Sequence, residues 1–77
     1  MSLFFFHVRD GSTTIDGEGV ELPDLDSARR EAIVACGEIL RDVPAAVWNG
    51  DPLLLWVTDQ PHGHGKTLFS LNVSPIG

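Results

Sequence analysis

Between Pro23 and Pro44 lies the one stretch of this chain in which apolar residues recur at helical spacing. Leu25, Ala28, Ala32, Ala35, Cys36, Ile39 and Val43 fall on one stripe, with Arg29, Arg30, Glu31, Glu38, Arg41 and Asp42 mostly away from it. Asp24 offers a carboxylate to the free amides of a first turn, and Asp26 adds negative charge where the helix dipole is positive. Pro44 stops the pattern, because proline has no N–H to donate and disfavours helix at the residue before it. The reading is one helix over about residues 25 to 42, with Gly37 as a weak point costing about 1 kcal/mol relative to Ala. Small alanines on the stripe let it sit close to a sheet.

One helix constrains everything else to strand and turn. Leu3-Phe4-Phe5-Phe6-His7-Val8 runs into Asp10-Gly11 and reads as a first strand. Val20-Glu21-Leu22, after the turn-prone Asp16-Gly17-Glu18-Gly19 and before Pro23, reads as a short second one. Ala45 to Pro52 is a connection in which the Trp48 indole caps one end of the core. Leu53 to Thr58 and Thr67 to Val73 are the third and fourth strands, and Pro75 ends the last. The expected fold class is therefore α+β: a four-stranded antiparallel sheet, ββαββ with strand order 2-1-3-4, and one helix packed on one face. The central positions go to the first and third strands, which are apolar on both faces. With 77 residues the chain is a single domain, 1–77.

Alternation assigns the faces. Pairing Leu55 opposite Phe69, Phe6 opposite Leu22 and Val8 opposite Val20 puts Phe4, Phe6, Val8, Val20, Leu22, Leu53, Leu55, Val57, Phe69, Leu71 and Val73 under the helix. The outer face then carries Leu3, Phe5, His7, Leu54, Trp56 and Leu68, which a helix on the other side does not cover. An apolar face of this size on a small domain reads as a self-association surface. The alternatives are that Ser74 to Gly77 folds back over it, or that Trp56 and Phe5 shield each other.

Composition removes several function classes. No apolar run approaches 18 residues, so no membrane span is expected. Eleven acidic against five basic residues give a net charge of −6, which argues against direct binding of nucleic acid through its phosphates. The single Cys36 has no internal disulfide partner, and the N-terminus lacks a basic start and a small-residue cleavage site, so the expected location is the cytoplasm. Cys36 lies on the apolar stripe, where a buried thiol is inert.

The motifs are sparse in chemistry. Asp10 to Glu21 places oxygen-bearing side chains in the rhythm of a calcium loop, but Ile15 stands where that loop needs glycine and strands flank it. Gly17-Glu18-Gly19 lacks the third glycine and the following helix of a dinucleotide fingerprint, and reads as a turn. His62 and His64, with Asp59 as a third ligand, are the candidates for metal ligation; the alternative is a hairpin tip with solvated imidazoles. His7 and Asp10 are the catalytic candidates: acids in the loop after the first strand, Asp10 or Asp16, would orient the imidazole for proton transfer or ligand binding. Against this stands a structural histidine bonded across the hairpin, with Arg9 paired to an acid. Asp16, Glu18, Glu21, Asp24 and Asp26 would meet a basic partner protein or serve the helix dipole. No residue pattern asks for a cofactor.

Phe5-Phe6-His7-Val8-Arg9-Asp10-Gly11, Glu18-Gly19-Val20-Glu21-Leu22-Pro23-Asp24, the Ala-rich helix and Val57-Thr58-Asp59 together resemble domain-of-unknown-function family 6894 over nearly the whole chain. The resemblance implies a small, stand-alone, cytoplasmic bacterial domain and brings no activity, ligand or catalytic residue with it. In place of the short acidic turn typical of that family after Val-Thr-Asp, this chain carries the longer Gln60-Pro61-His62-Gly63-His64-Gly65. Asp16 to Asp24 and the following helix are also distantly similar to the HicB-like antitoxin half of a bacterial toxin–antitoxin pair, without its Gly-Cys-Thr-Gly segment or DNA-binding extension.

Three functions follow as expectations. The first is a non-enzymatic interaction module, homodimeric through the outer sheet face. The second is an antitoxin-like protein inhibitor, and the third a small enzyme or ligand-binding protein using His7 with Asp10 or Asp16.

Overall fold

The computed structural model describes residues 1–42, 50 and 52–74. The expectations for Val43, Pro44, Trp48 and residues 75–77 lie outside the described residues. The elements follow as β1 (Ser2–Arg9), β2 (Thr13–Thr14), β3 (Val20–Leu22), α1 (Leu25–Asp42), β4 (Leu53–Thr58), a 3-10 turn (Pro61–Gly63) and β5 (Thr67–Val73). All strand pairs are antiparallel: β1 and β4 are central, β5 is one edge, and β2 and β3 share the other side of β1. The α+β class, the single helix and the order of the four expected strands hold, with β2 as an addition.

α1 begins as its sequence requires. The Asp24 carboxylate accepts the Ser27 N–H at 2.8 Å, and Asp26 pairs with Arg30 one turn later. Ala28 and Ala32 are fully buried against Phe4, Leu55 and Val57, with Phe6, Val8, Leu22, Leu25, Ala35 and Phe69 around them. The far half of the helix seats Cys36 on Leu53, beside Ile39, Leu71 and Val73. The alanine stripe thus brings the helix axis close to the two central strands.

The registers differ from those expected. Val20 lies opposite Phe4 and Leu22 opposite Ser2, four residues earlier along β1, because Thr13 and Thr14 occupy the positions beside Arg9 and Val8. The tight turn after β1, in which Asp10 N–H donates to Ser12 C=O at 2.9 Å, brings those threonines back first. Leu55 lies opposite Leu71 rather than Phe69, a shift of two. Even shifts keep each side chain on its face, so most of the inner set is correct. Val20 is the exception at 43 % exposure, since its strand reaches the sheet only at the start of β1. Leu68 is the other correction: the ladder shifts between Val57 and Thr58, and Leu68 packs with Phe69 against the helix-side core instead of facing outward.

Candidate functional site

β2 and β3 pair with opposite ends of β1 and leave Phe5, Phe6 and His7 without a strand partner on that side. Residues 15–19 leave the ladder there, and Asp16 takes its place. Its Oδ2 accepts the Phe6 N–H at 3.2 Å, while Oδ1 accepts those of Glu18 at 2.9 Å and Gly19 at 3.1 Å. Burial by itself would raise the Asp16 pKa, but these three amide donors and the nearby His7 hold it below the usual carboxylate value. The Asp-Gly-Glu-Gly segment is a side-chain-capped turn.

His7 lies under this turn with no exposed surface. Its Nδ1 accepts the Asp16 backbone N–H at 3.0 Å, and its Nε2 lies 2.8 Å from Thr58 Oγ1. A backbone N–H only donates, so Nδ1 carries no proton and the neutral ring holds its hydrogen on Nε2. Thr58 Oγ1 then accepts from Nε2–H and donates to the Gln60 carbonyl at 2.7 Å. The chain of donors has one direction, from Asp16 N–H through His7 and Thr58 to Gln60 C=O. Burial lowers the His7 pKa, the Asp16 carboxylate acts to raise it, and His62 lowers it further. The Trp56 ring packs 5.2 Å from the imidazole, tilted by 39°, with the Arg9 guanidinium 6.0 Å from the indole.

The tip of the β4–β5 hairpin completes the enclosure. Asp59 N–H donates to Lys66 C=O at 3.2 Å, and the Asp59 carboxylate accepts the Lys66 N–H at 2.8 Å. His62 has a left-handed backbone (φ 62, ψ 25), a conformation uncommon outside glycine, and donates its N–H to Asp16 C=O at 2.9 Å. The His62 ring presses on Gly17, where a Cβ would come within 2.5 Å of it. Gly19, at φ +80, lies on the Phe5 ring, and a Cβ there would sit 2.7 Å from it. Phe5 is consequently 5 % exposed.

These contacts place the expected site residues. His7 meets Asp16, through the aspartate's backbone N–H rather than its carboxylate. Asp10 stays in its own turn, its carboxylate accepting the Ser12 hydroxyl at 3.4 Å. His62 and His64 are exposed, and Asp59 is committed to Lys66; among the described residues no group of three His, Cys, Asp or Glu is placed to hold a metal. Of the outer-face set, Phe5 and His7 are buried by the chain's own loops, Leu54 and Trp56 are half-buried, and Leu3 is 50 % exposed. Gly19 lies on the Phe5 ring and the Asp16 N–H on His7, so the 15–19 turn covers both. Asp16 was expected as an acid beside His7; its role as acceptor for the amides of Phe6, Glu18 and Gly19 was not. Its only local signal is the Asp-Gly-Glu-Gly spacing, which announces a turn without saying where it docks.

Hollows among the described residues border this enclosure. One, of about 700 Å³, is lined by Leu3, Phe5, Glu18, Asp59 and Pro61. Another, of about 220 Å³, lies between α1 and the interrupted sheet edge at Phe6, Val20 and Ala35. No helix among the described residues is long and apolar enough to cross a membrane. Comparison with curated proteins and with solved structures yields no match. The family comparison does, and it spans β1, the Asp16 turn, the helix and the β4–β5 hairpin: the model of DUF6894, a domain of unknown function, matches residues 3–74, and the chain belongs to that family.

Proposed function

We propose that this protein is a non-enzymatic interaction module that self-associates through the part of its outer sheet face left open by its own loops. The observation that carries the reading is Trp56: it stands on central strand β4, between His7 and Ser70, and is only partly buried, with partly buried Leu54 beside it. Tryptophan flanked by an apolar neighbour and an arginine is the composition favoured at interface centres. Leu3, at the far end of the same face, extends the surface beyond the enclosure. Expected Phe5 and His7 contacts drop out of this surface because they are buried, and Leu68 because it packs inward.

The catalytic alternative has less support. A general base needs a free lone pair within reach of a substrate, and the His7 lone pair is taken by the Asp16 N–H in a ring with no exposed area. The acidic-inhibitor alternative loses three of its five acids to intramolecular roles: Asp16 to the turn, Asp24 to the helix cap and Asp26 to Arg30.

Multi-angle light scattering of the wild type and of Trp56→Asp tests the proposal. The expected result is a wild-type mass of twice the 8.4 kDa chain and a folded monomeric variant. A wild type that stays monomeric at micromolar concentration overturns it.

A further inference from the structure

We propose that His7 and Asp16 form a proton-operated latch, in which protonation of the His7 ring releases the 15–19 turn and the hairpin tip from the outer sheet face and uncovers Phe5. The geometry allows the latched state only for a neutral ring. Nδ1 must accept the Asp16 N–H at 3.0 Å, and an imidazolium would set two N–H groups against each other in a site without exposed surface.

The charged ring has one way to gain a partner. The Asp16 carboxylate belongs to the same residue as the opposing N–H, and turning it toward Nδ1–H would withdraw it from the amides of Phe6, Glu18 and Gly19. Those bonds define the turn. The same residue's carbonyl holds the hairpin tip through His62 N–H, so moving Asp16 frees both covers together. Phe5 is the residue uncovered, because Gly19 rests on its ring.

The groups around His7 set the direction. From the turn comes the Asp16 carboxylate, which favours the charged ring, and from the hairpin tip comes His62, which opposes it. Strand β4 contributes the uncharged Thr58 and Trp56, and β1 contributes Arg9, whose guanidinium lies at the indole. Helix α1 packs on the other face of the sheet. Burial outweighs the attraction of Asp16, so the ring under the closed turn resists protonation and its pKa lies below the ordinary 6.5. Asp16 is itself held below the usual carboxylate value by the amides of Gly19, Glu18 and Phe6.

Amide exchange by NMR as a function of pH tests the latch directly. As pH falls from 6.5 toward the lowered pKa of the ring under the turn, the opening constant is expected to rise, uptake of one proton setting an upper limit of about tenfold per pH unit. It is read as a joint loss of protection at Glu18, Gly19 and His62, while Leu55 and Val57 stay protected. The His7 ring-nitrogen shifts, followed in the same samples, should report protonation at the same midpoint. His7→Asn keeps an acceptor near Nδ1 without titrating and should remove the pH dependence; should it not fold, the coincidence of ring and amide midpoints in the wild type decides. Protection unchanged down to about pH 4, or loop and core amides exchanging together, overturns the latch. That uncovering Phe5 enlarges the association surface rests on the proposed function, and light scattering reads it separately. An open latch with unchanged mass overturns that consequence alone.

Discussion

The backbone N–H of Asp16 donates to Nδ1 of His7 at 3.0 Å, and that bond fixes the tautomer of the one buried histidine. It also turns a mobile-looking acidic loop into a lid, because the same aspartate accepts from Phe6, Glu18, Gly19 and, through its carbonyl, from His62. Measurable consequences for stability follow from this hub and from the helix.

Stability should decline as pH falls from 6.5 toward the lowered pKa of folded His7, and be flat with respect to this group above 6.5. In that window the unfolded chain binds a proton that the folded one refuses. Asp16 acts in a lower window: its contribution is complete above 3.8 and is lost as pH falls through its depressed folded value. Urea midpoints across this range, at constant salt, check both; a midpoint that rises on acidification through the upper window contradicts the histidine assignment.

Asp16→Ala removes the acceptor for three backbone amides and is expected to destabilise the domain by about 2 kcal/mol. Asp16→Asn keeps one carbonyl oxygen and should cost about 1 kcal/mol. Chemical denaturation of both variants measures the order, and equal losses would mean that the side chain does not organise the turn.

Thr58→Val is nearly isosteric but leaves the His7 Nε2–H without an acceptor at a site where Thr58 is 1 % exposed. A loss of about 1 to 3 kcal/mol is expected. A stability equal to wild type would show that the Nε2–Thr58 bond does not stabilise the fold.

Gly19→Ala meets two obstacles, a left-handed backbone and a Phe5 ring 2.7 Å from the new methyl. The expected cost is about 2 kcal/mol, with the Phe5 ring resonances shifting. Phe5→Leu in the Gly19→Ala background separates the two: recovery of part of the loss identifies the steric share.

Gly37→Ala should stabilise by about 1 kcal/mol, because Gly37 is an exposed helical position with nothing within 4 Å of an added Cβ. A thermal midpoint unchanged or lowered would place another constraint on that turn of α1.

Local pattern was enough for the helix, its Asp24 cap, four strands, their order and most of the inner face. Each rests on a periodicity or on a contact within a few residues: the Ala28–Ala32–Cys36 stripe, the Asp24–Ser27 bond, the alternation of Phe69, Leu71 and Val73. Register was beyond it, because alternation repeats every two residues and a shift of two or four leaves every face unchanged. The burial of His7 and Phe5 was equally beyond it. Whether an apolar sheet face stays open depends on where loops dock, and that is decided by bonds between distant residues: Asp16 to His7 across β1, His7 to Thr58 across two strands, and His62 back to Asp16. The acids and glycines of 15–19 determined only that the chain turns there; the gap between β2 and β3 on the edge of β1 determined what the turn does.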